Sequence, residues 1–96
     1  MKNITLLKLT GPFAENKDIA REIRLKQLVP LLEEGKDVSL DFQGLEGATQ
    51  AFVHVLISDL IRKYGPDVLD KLHFKSCNAT IQAIITIVVD YMQESL

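Results

Sequence analysis

The chain has 96 residues, of which 11 are Lys or Arg and 13 are Asp or Glu, so its formal net charge at pH 7 is −2. This length supports one modest hydrophobic core, and the charge balance offers no broad basic surface for a phosphate backbone, so we expect one domain over residues 1–96 that does not bind nucleic acid. The one cysteine, Cys77, excludes an internal disulfide and a multi-thiolate metal cage, which favours a reducing compartment.

The N-terminal third of the chain predicts one strand followed by one helix. Residues 3–10, NITLLKLT, are rich in strand-forming side chains and end at a Gly-Pro turn. Residues 16–35 then place apolar side chains at helical spacing and stop at a glycine. Pro30 lies inside this helix and removes a backbone hydrogen bond, so we expect a kink or a second short helix starting near Pro30.

The middle of the chain predicts a short strand and a long helix. Residues 38–42 alternate apolar and polar side chains, which indicates a strand with one buried face. Residues 50–64 carry a wide apolar stripe at helical spacing. The Gly65-Pro66 pair ends this helix, because glycine accepts a left-handed stop and proline cannot continue the helix.

The C-terminal third predicts one helical turn over residues 66–71, a strand over residues 72–77 and a last helix that starts near Ala79. Polar residues interrupt this helix well short of the ~20 apolar residues of a membrane span, so we expect no membrane association. Its apolar surplus indicates either a deeper core or an interface, and a homodimer joined through this helix is one candidate. The apolar positions are Ile81, Ala83, Ile84, Ile85, Ile87, Val88, Val89, Tyr91 and Met92.

The predicted order is β-α-β-α-β-α, which is typical of an α/β fold with a mostly parallel sheet flanked by helices. In such folds, ligands and partners bind beyond the carboxyl ends of the strands, where the strand-to-helix loops meet. Three loops of this chain follow strands, at residues 10–16, 43–50 and 76–78. We therefore expect them to lie along one edge of the domain.

The polar residues on these loops are the candidate binding residues. The leading hypothesis assigns partner binding to Glu46, Thr49 and Gln50, and an alternative small enzyme or nucleotide-binding domain would use a polar cleft at the same edge. Thr49 lies where the turn becomes a helix, so its hydroxyl either caps the helix or accepts a phosphate group. The full set of candidate residues is Glu15, Asn16, Glu46, Thr49, Gln50 and Asn78.

Two groups of chemically active side chains fall short of a catalytic or metal site. His54 and Ser58 share one helix face, but Asp59 points about 100° away from Ser58, and a helix interior is not the exposed elbow that a catalytic serine requires. His73 and Cys77 share one strand face without further ligands at motif spacing. We therefore expect no enzyme activity, no cofactor and no metal.

The segment VSLDFQGLEGATQAFVHVLISDLIRKYG resembles the STAS-like domains of bacteria, which are relatives of the anti-sigma-factor antagonists. GPFAENKDIARE and LHFKSCNATIQAII also resemble this family, so the resemblance covers nearly the whole chain. By position, Asp41, Phe42 and Gly44 match the strand end and turn of the family. Antagonists of that type carry a serine pair followed by glycine at the helix start, whereas Thr49 is the only hydroxyl at this junction.

The resemblance implies a STAS-like fold and a non-enzymatic regulatory module that binds a protein partner. In antagonists of that type, a histidine-kinase-like ATPase phosphorylates a serine at the helix start, so such an ATPase is the implied partner and Thr49 the implied phosphate acceptor. The N-terminal residues lack a sustained apolar segment followed by a small-residue cleavage site, so we expect no secretory signal and a cytoplasmic location.

Overall fold

A three-stranded parallel sheet forms the centre of the fold. The computed structural model describes residues 1–94, so Ser95 and Leu96 of the predicted domain lie outside the described residues. In chain order the elements are β1 (Lys2–Thr5), α1 (Leu7–Thr10), β2 (Phe13–Ala14), α2 (Lys17–Ile23), a π-helix (Arg24–Leu28), α3 (Val29–Glu33), β3 (Val38–Asp41), β4 (Gly47–Ala48), α4 (Gln50–Tyr64), a 3-10 helix (Pro66–Asp70), β5 (Leu72–Lys75) and α5 (Ala79–Glu94).

The sheet has the strand order β1-β3-β5, and both neighbours of β3 run parallel to it. The crossover from β1 to β3 and the crossover from β3 to β5 step in the same direction, so right-handed connections place their helices on the same face of the sheet. Ile4 and Leu40 are paired and buried on one face, while their neighbours Asn3 and His73 on the other face are exposed or half-buried. The predicted parallel sheet flanked by helices is confirmed.

The central strand is buried on both faces, so the prediction of one buried face was wrong. All four residues of β3 are buried, including the polar residues Ser39 and Asp41. A strand with neighbours on both sides loses solvent contact for its small and medium side chains even on the polar face. Sequence alternation alone could not show that β3 occupies the middle of the sheet.

The first strand is shorter than predicted, because the segment predicted over residues 3–10 splits into β1 and α1. The Leu6 N–H donates to the Asp41 carbonyl at 3.0 Å, and Asp41 is the last residue of β3. Beyond that point the chain turns helical, and the Thr10 N–H donates to the Leu6 carbonyl at 2.9 Å. β1 therefore ends where its partner strand ends.

The third strand also ends earlier than the predicted residues 72–77. β5 stops at Lys75, and Ser76 adopts a positive φ of 57°, a left-handed conformation that breaks the extended chain. Two further elements were not predicted: β2 and β4 form a second, two-residue parallel pair. Both belong to strand-to-helix loops, so they shape the edge at which those loops meet.

The predicted break at Pro30 takes the form of a π-turn. The Val29 N–H donates to the Arg24 carbonyl, five residues back, and α3 then begins at Val29 with Pro30 in its first turn. The backbone keeps right-handed helical dihedrals at the junction, so the separate helix α3 follows the π-helix directly. The prediction of a second short helix starting near Pro30 is confirmed.

The π-turn orients Arg24 toward α4. Its Nη1 donates to the Val55 carbonyl at 2.6 Å and lies 3.1 Å from Oδ2 of Asp59. The Arg24 side chain is only 11% exposed, whereas that of Asp59 is 51% exposed, so the guanidinium makes these charge-assisted contacts at the border of the buried interior. It connects α2 and the π-helix to the long helix α4.

The two long helices agree with the predicted starts. α4 spans Gln50–Tyr64 as predicted, and Gly65 follows it with a φ of 83°. α5 begins at Ala79 and buries four apolar residues of its predicted surplus in the core. Ile87 and Tyr91 instead remain 50% and 57% exposed. Within residues 1–94, no helix combines the length and the hydropathy needed to cross a membrane.

Replacing Arg24 tests the contact between the π-turn and α4. We expect Arg24→Met to lower the free energy of unfolding by about 1–3 kcal/mol, because the Val55 carbonyl loses a charged donor in a mostly buried place. Lys26→Met is the control, since Lys26 pairs with Glu22 on an exposed surface and should change stability by less than about 0.5 kcal/mol. Urea denaturation of both variants measures this, and equal effects would contradict the assigned role.

Candidate functional site

The three strand-to-helix loops meet at one edge of the fold, as the sequence predicts. We call residues 10–16, 43–50 and 76–78 the loop surface. These loops follow β1, β3 and β5, with α1 placed between β1 and the first loop. Because the three strands are parallel and adjacent, their carboxyl ends bring the loops together.

Hydrogen bonds join the three loops directly. The Glu46 N–H donates to the Pro12 carbonyl at 2.7 Å, and the Thr49 N–H donates to the Ala14 carbonyl at 2.9 Å. Nδ2 of Asn78 donates to the Glu46 carbonyl at 2.9 Å. The middle loop is thus bonded to both of the others, which restricts their relative movement.

Asn78 has two roles at this edge. While its Nδ2 bonds to the middle loop, its Oδ1 accepts from the Ile81 N–H at 2.9 Å and so caps the start of α5. The next turn adds a second bond, from Nε2 of Gln82 to the Cys77 carbonyl at 2.9 Å. The position of α5 is therefore tied to the position of the middle loop.

Thr49 is the N-cap of α4. Its Oγ1 accepts from the Phe52 N–H at 3.0 Å, and its extended backbone precedes the first helical residue, Gln50. This satisfies one of the amides that a helix start leaves without a partner. The capping interpretation of Thr49 is confirmed, while its role as a phosphate acceptor stays a prediction.

Asn16 caps α2 in the same way. Its Oδ1 accepts from the N–H groups of Asp18 at 2.9 Å and Ile19 at 3.3 Å. The side-chain oxygens of three candidate residues, Asn16, Thr49 and Asn78, thus accept hydrogen bonds from backbone N–H groups of the protein itself. These three residues were predicted to line a polar cleft, and the structure shows that each of them fixes a helix start.

Three other candidate residues present their side chains to solvent. Glu15, Glu46 and Gln50 are exposed, and within residues 1–94 their side chains make no hydrogen bond or ion pair. Glu46 lies on the middle loop, Gln50 begins α4, and Glu15 directly follows the β2–β4 pair. Their polar groups are therefore available to a partner.

Two glycines of the middle loop provide contact points for large apolar side chains from the first part of the chain. Gly44 has a φ of 87°, and a Cβ added there would come within 2.7 Å of Leu7. A Cβ at Gly47 would come within 2.8 Å of the Phe13 ring. Since neither glycine has a side chain, Leu7 and Phe13 lie directly against the backbone of the middle loop.

Leu7 and Phe13 are surface residues that the sequence analysis missed. Phe13 is 50% exposed and Leu7 is 37% exposed, so both present apolar surface beside the exposed polar groups. The sequence analysis placed Leu7 in a strand over residues 3–10. Its position on α1 was missed because it depends on where β1 ends. The sequence did contain a signal for Phe13, because a loop that only connects two elements does not need an aromatic residue after Gly11-Pro12.

The remaining chemically active side chains serve the fold. Ser58 is buried with 2% exposure inside α4, and Asp59 pairs with Arg24. The His54 ring lies 6.4 Å from the Tyr91 ring, so α4 and α5 meet there. Among residues 1–94, no three His, Cys, Asp or Glu side chains form a group that could hold a metal ion.

Cys77 on the third loop has a thiol whose pKa is raised. Burial raises the pKa of its thiol, and the negative charge of Asp41 raises the pKa further. The thiol also lies 3.8 Å from the Lys75 carbonyl, to which it donates. Because the thiolate is the reactive form, a raised pKa suppresses reactivity at neutral pH.

The comparison with protein families identifies the fold family. Residues 20–82, about two thirds of the chain, match the family described as STAS-like domain of unknown function (DUF4325). The match includes the middle loop and the whole of α4, whereas β1, α1 and the first loop precede it. No curated protein and no solved structure gives a significant match. The chain belongs to the STAS-like domain family.

Proposed function

We propose that the protein is a non-enzymatic regulatory module of the cytoplasm that binds a protein partner through the loop surface. The observation that carries this proposal is that hydrogen bonds join the three loops into one surface. Phe13 lies on this surface, packed on the backbone of Gly47 and half exposed. Glu46 and Gln50 present unused polar groups beside it. An aromatic anchor with polar neighbours is the usual anatomy of a protein-protein interface.

Rigidity favours binding at this surface. Ordering loops on association costs free energy, so a surface whose loops are already bonded to one another retains more of its contact energy. The bonds from Glu46 to Pro12, from Thr49 to Ala14 and from Asn78 to Glu46 supply this order in the unbound protein. Loops that only connect a strand to a helix do not need hydrogen bonds to one another, so these bonds favour a binding role for the loop surface.

The partner that best fits is a regulatory protein, and the family resemblance proposes an ATPase of the histidine-kinase-like fold. Two carboxylates, Glu15 and Glu46, are exposed at the loop surface. Complementary charge guides encounter and fixes the register of an interface. We therefore propose that the partner presents basic side chains around an apolar recess for Phe13.

Regulation by phosphorylation at Thr49 is a second part of the proposal. The hydroxyl lies at the N-terminus of α4, where the helix dipole stabilises negative charge. A phosphate there would add charge beside Gln50 and Glu46, within the proposed contact area. Such a group would act on the interface more than on the fold.

The alternative, a small enzyme or nucleotide-binding domain, was predicted at a polar cleft of the loop edge, but Asn16, Thr49 and Asn78 cap helices there. Support for it would have to come from another part of the surface. An open groove of about 430 Å³ lies between the π-helix and α4. The guanidinium of Arg24 in this groove is already engaged by Val55 and Asp59, so it serves the fold first. The groove is lined by Arg24, Leu25, Val29, Asp59, Leu60, Arg62 and Lys63.

Phe13→Ala tests the loop surface against a matched control. We expect this variant, used as bait in the native cell, to recover at least about tenfold less of the partner, because the aromatic anchor is lost. Leu25→Ala is the control, since Leu25 is 51% exposed on the π-helix and has a similar apolar exposure outside the loop surface. Mass spectrometry identifies the partner and thermal melts establish that both variants fold.

An ATPase of the histidine-kinase-like fold recovered with the wild type and with Leu25→Ala, and lost with Phe13→Ala, would support the proposal. Equal recovery by both variants would place the contact elsewhere and contradict it. Turnover of a nucleotide by the purified chain would instead favour the alternative function.

Three substitutions of Thr49 separate capping from regulation. Thr49→Ala removes the oxygen that accepts from Phe52 and should lower stability by about 1 kcal/mol, while Thr49→Ser and Thr49→Asp keep a capping oxygen. A phosphate switch predicts that Thr49→Asp abolishes partner binding and Thr49→Ser preserves it. Thermal melts and titrations with the identified partner measure both effects. Unchanged affinity in all three variants would refute a regulatory role for Thr49.

A further inference from the structure

Beside the buried face of α5 lies a mostly apolar face, on which Ile84 is half-buried against the core and Ile87 and Tyr91 are exposed. The buried face consists of Ile81, Ile85, Val88 and Met92. A second stripe at the same spacing, Thr80, Ile84, Ile87 and Tyr91, lies about 100° away around the helix. Ile87 in the middle of that stripe is 50% exposed. We call Thr80, Ile84, Ile87 and Tyr91 the α5 stripe.

The charges of α5 are distributed in an unusual way. Residues 79–89 contain no charged side chain, and Asp90 and Glu94 are the only charges of the helix. Interface cores are depleted in charge, whereas exposed helix faces in water normally carry it. Both carboxylates also lie at the C-terminal end, where the helix dipole disfavours negative charge.

We propose that α5 pairs in antiparallel orientation with α5 of a second copy of this chain, forming a two-fold symmetric dimer. An antiparallel arrangement places the carboxylates of Asp90 and Glu94 beside the N-terminal end of the partner helix, where the dipole favours them. A parallel arrangement would stack the four carboxylates together. The positions of Asp90 and Glu94 therefore favour antiparallel over parallel pairing of two α5 helices.

The α5 stripe is also complementary to itself. Its spacing of four, three and four residues is the heptad spacing of packed helices. About a two-fold axis between Ile85 and Thr86, Ile84 of one copy lies opposite Ile87 of the other, and Thr80 lies opposite Tyr91. Each of these contacts is then made twice, with the two residues exchanged between the copies, as in any two-fold interface.

The neighbouring helix widens this surface. The ring of His54 on α4 lies 6.4 Å from the ring of Tyr91. Val55 is half-buried and Ala51 is exposed on the same helix. The dimer contact can therefore extend from α5 onto the N-terminal half of α4, where it borders Gln50, which lines one surface groove together with Ala51, His54 and Val55.

Ile87→Glu tests the proposed dimer. We expect sedimentation equilibrium of the full chain to show a wild-type dimer and a dissociation constant raised at least about tenfold in this variant. Thr86→Glu is the matched control, because it adds the same charge at an exposed position about 100° around the helix. Circular dichroism establishes that both variants fold. A monomeric wild type at millimolar concentration, or equal weakening by both variants, would overturn the proposal.

Cross-linking tests the orientation. In a Cys77→Ser background, a mixture of Thr80→Cys and Tyr91→Cys chains should form a mixed disulfide dimer under mild oxidation. Each variant alone should remain uncross-linked, because its two cysteines would lie at opposite ends of the contact. A disulfide dimer from Thr80→Cys alone would indicate parallel helices and contradict the antiparallel arrangement.

Discussion

The hydrogen bonding of β3 to strands on both of its sides is the constraint on which the rest of the structure depends. At the carboxyl end of β3, the Asp41 carbonyl accepts a hydrogen bond from the N–H of Leu6, which directly follows β1. The Phe42 N–H donates to the carbonyl of Lys75, the last residue of β5. Oδ1 of Asp41 then accepts from the Gln43 N–H at 2.9 Å, which begins the middle loop. Asp41 and Phe42, at the end of β3, therefore determine where β1 and β5 end and where the middle loop starts.

The loop surface follows from this constraint through glycine. Once β1 ends beside Asp41, α1 and the first loop must pass over the middle loop, and side chains at positions 44 and 47 would block them. Gly44 and Gly47 allow Leu7 and Phe13 to lie directly on that backbone. The close approach of the two loops therefore packs one side of Leu7 and Phe13 on backbone and leaves the rest of each side chain exposed.

Local signals in the sequence were sufficient for α4, because its cap at Thr49 and its stop at Gly65 are both encoded within a few residues. The family, the parallel sheet and the meeting of the three loops could also be predicted. The end of β1, the full burial of β3 and the contact of Phe13 with Gly47 could not. Each depends on which segments are neighbours in space, and a pattern along the chain does not contain that information.

Asn78 joins the two proposed surfaces, because the same side chain bonds to Glu46 in the loop surface and caps the start of α5. A dimer formed through α5 would hold two loop surfaces at a fixed separation. Because the third loop directly precedes α5, antiparallel pairing places the two loop surfaces at opposite ends of the dimer. Each loop surface would then bind its own partner molecule, and the contact through Phe13 would have to be strong enough by itself.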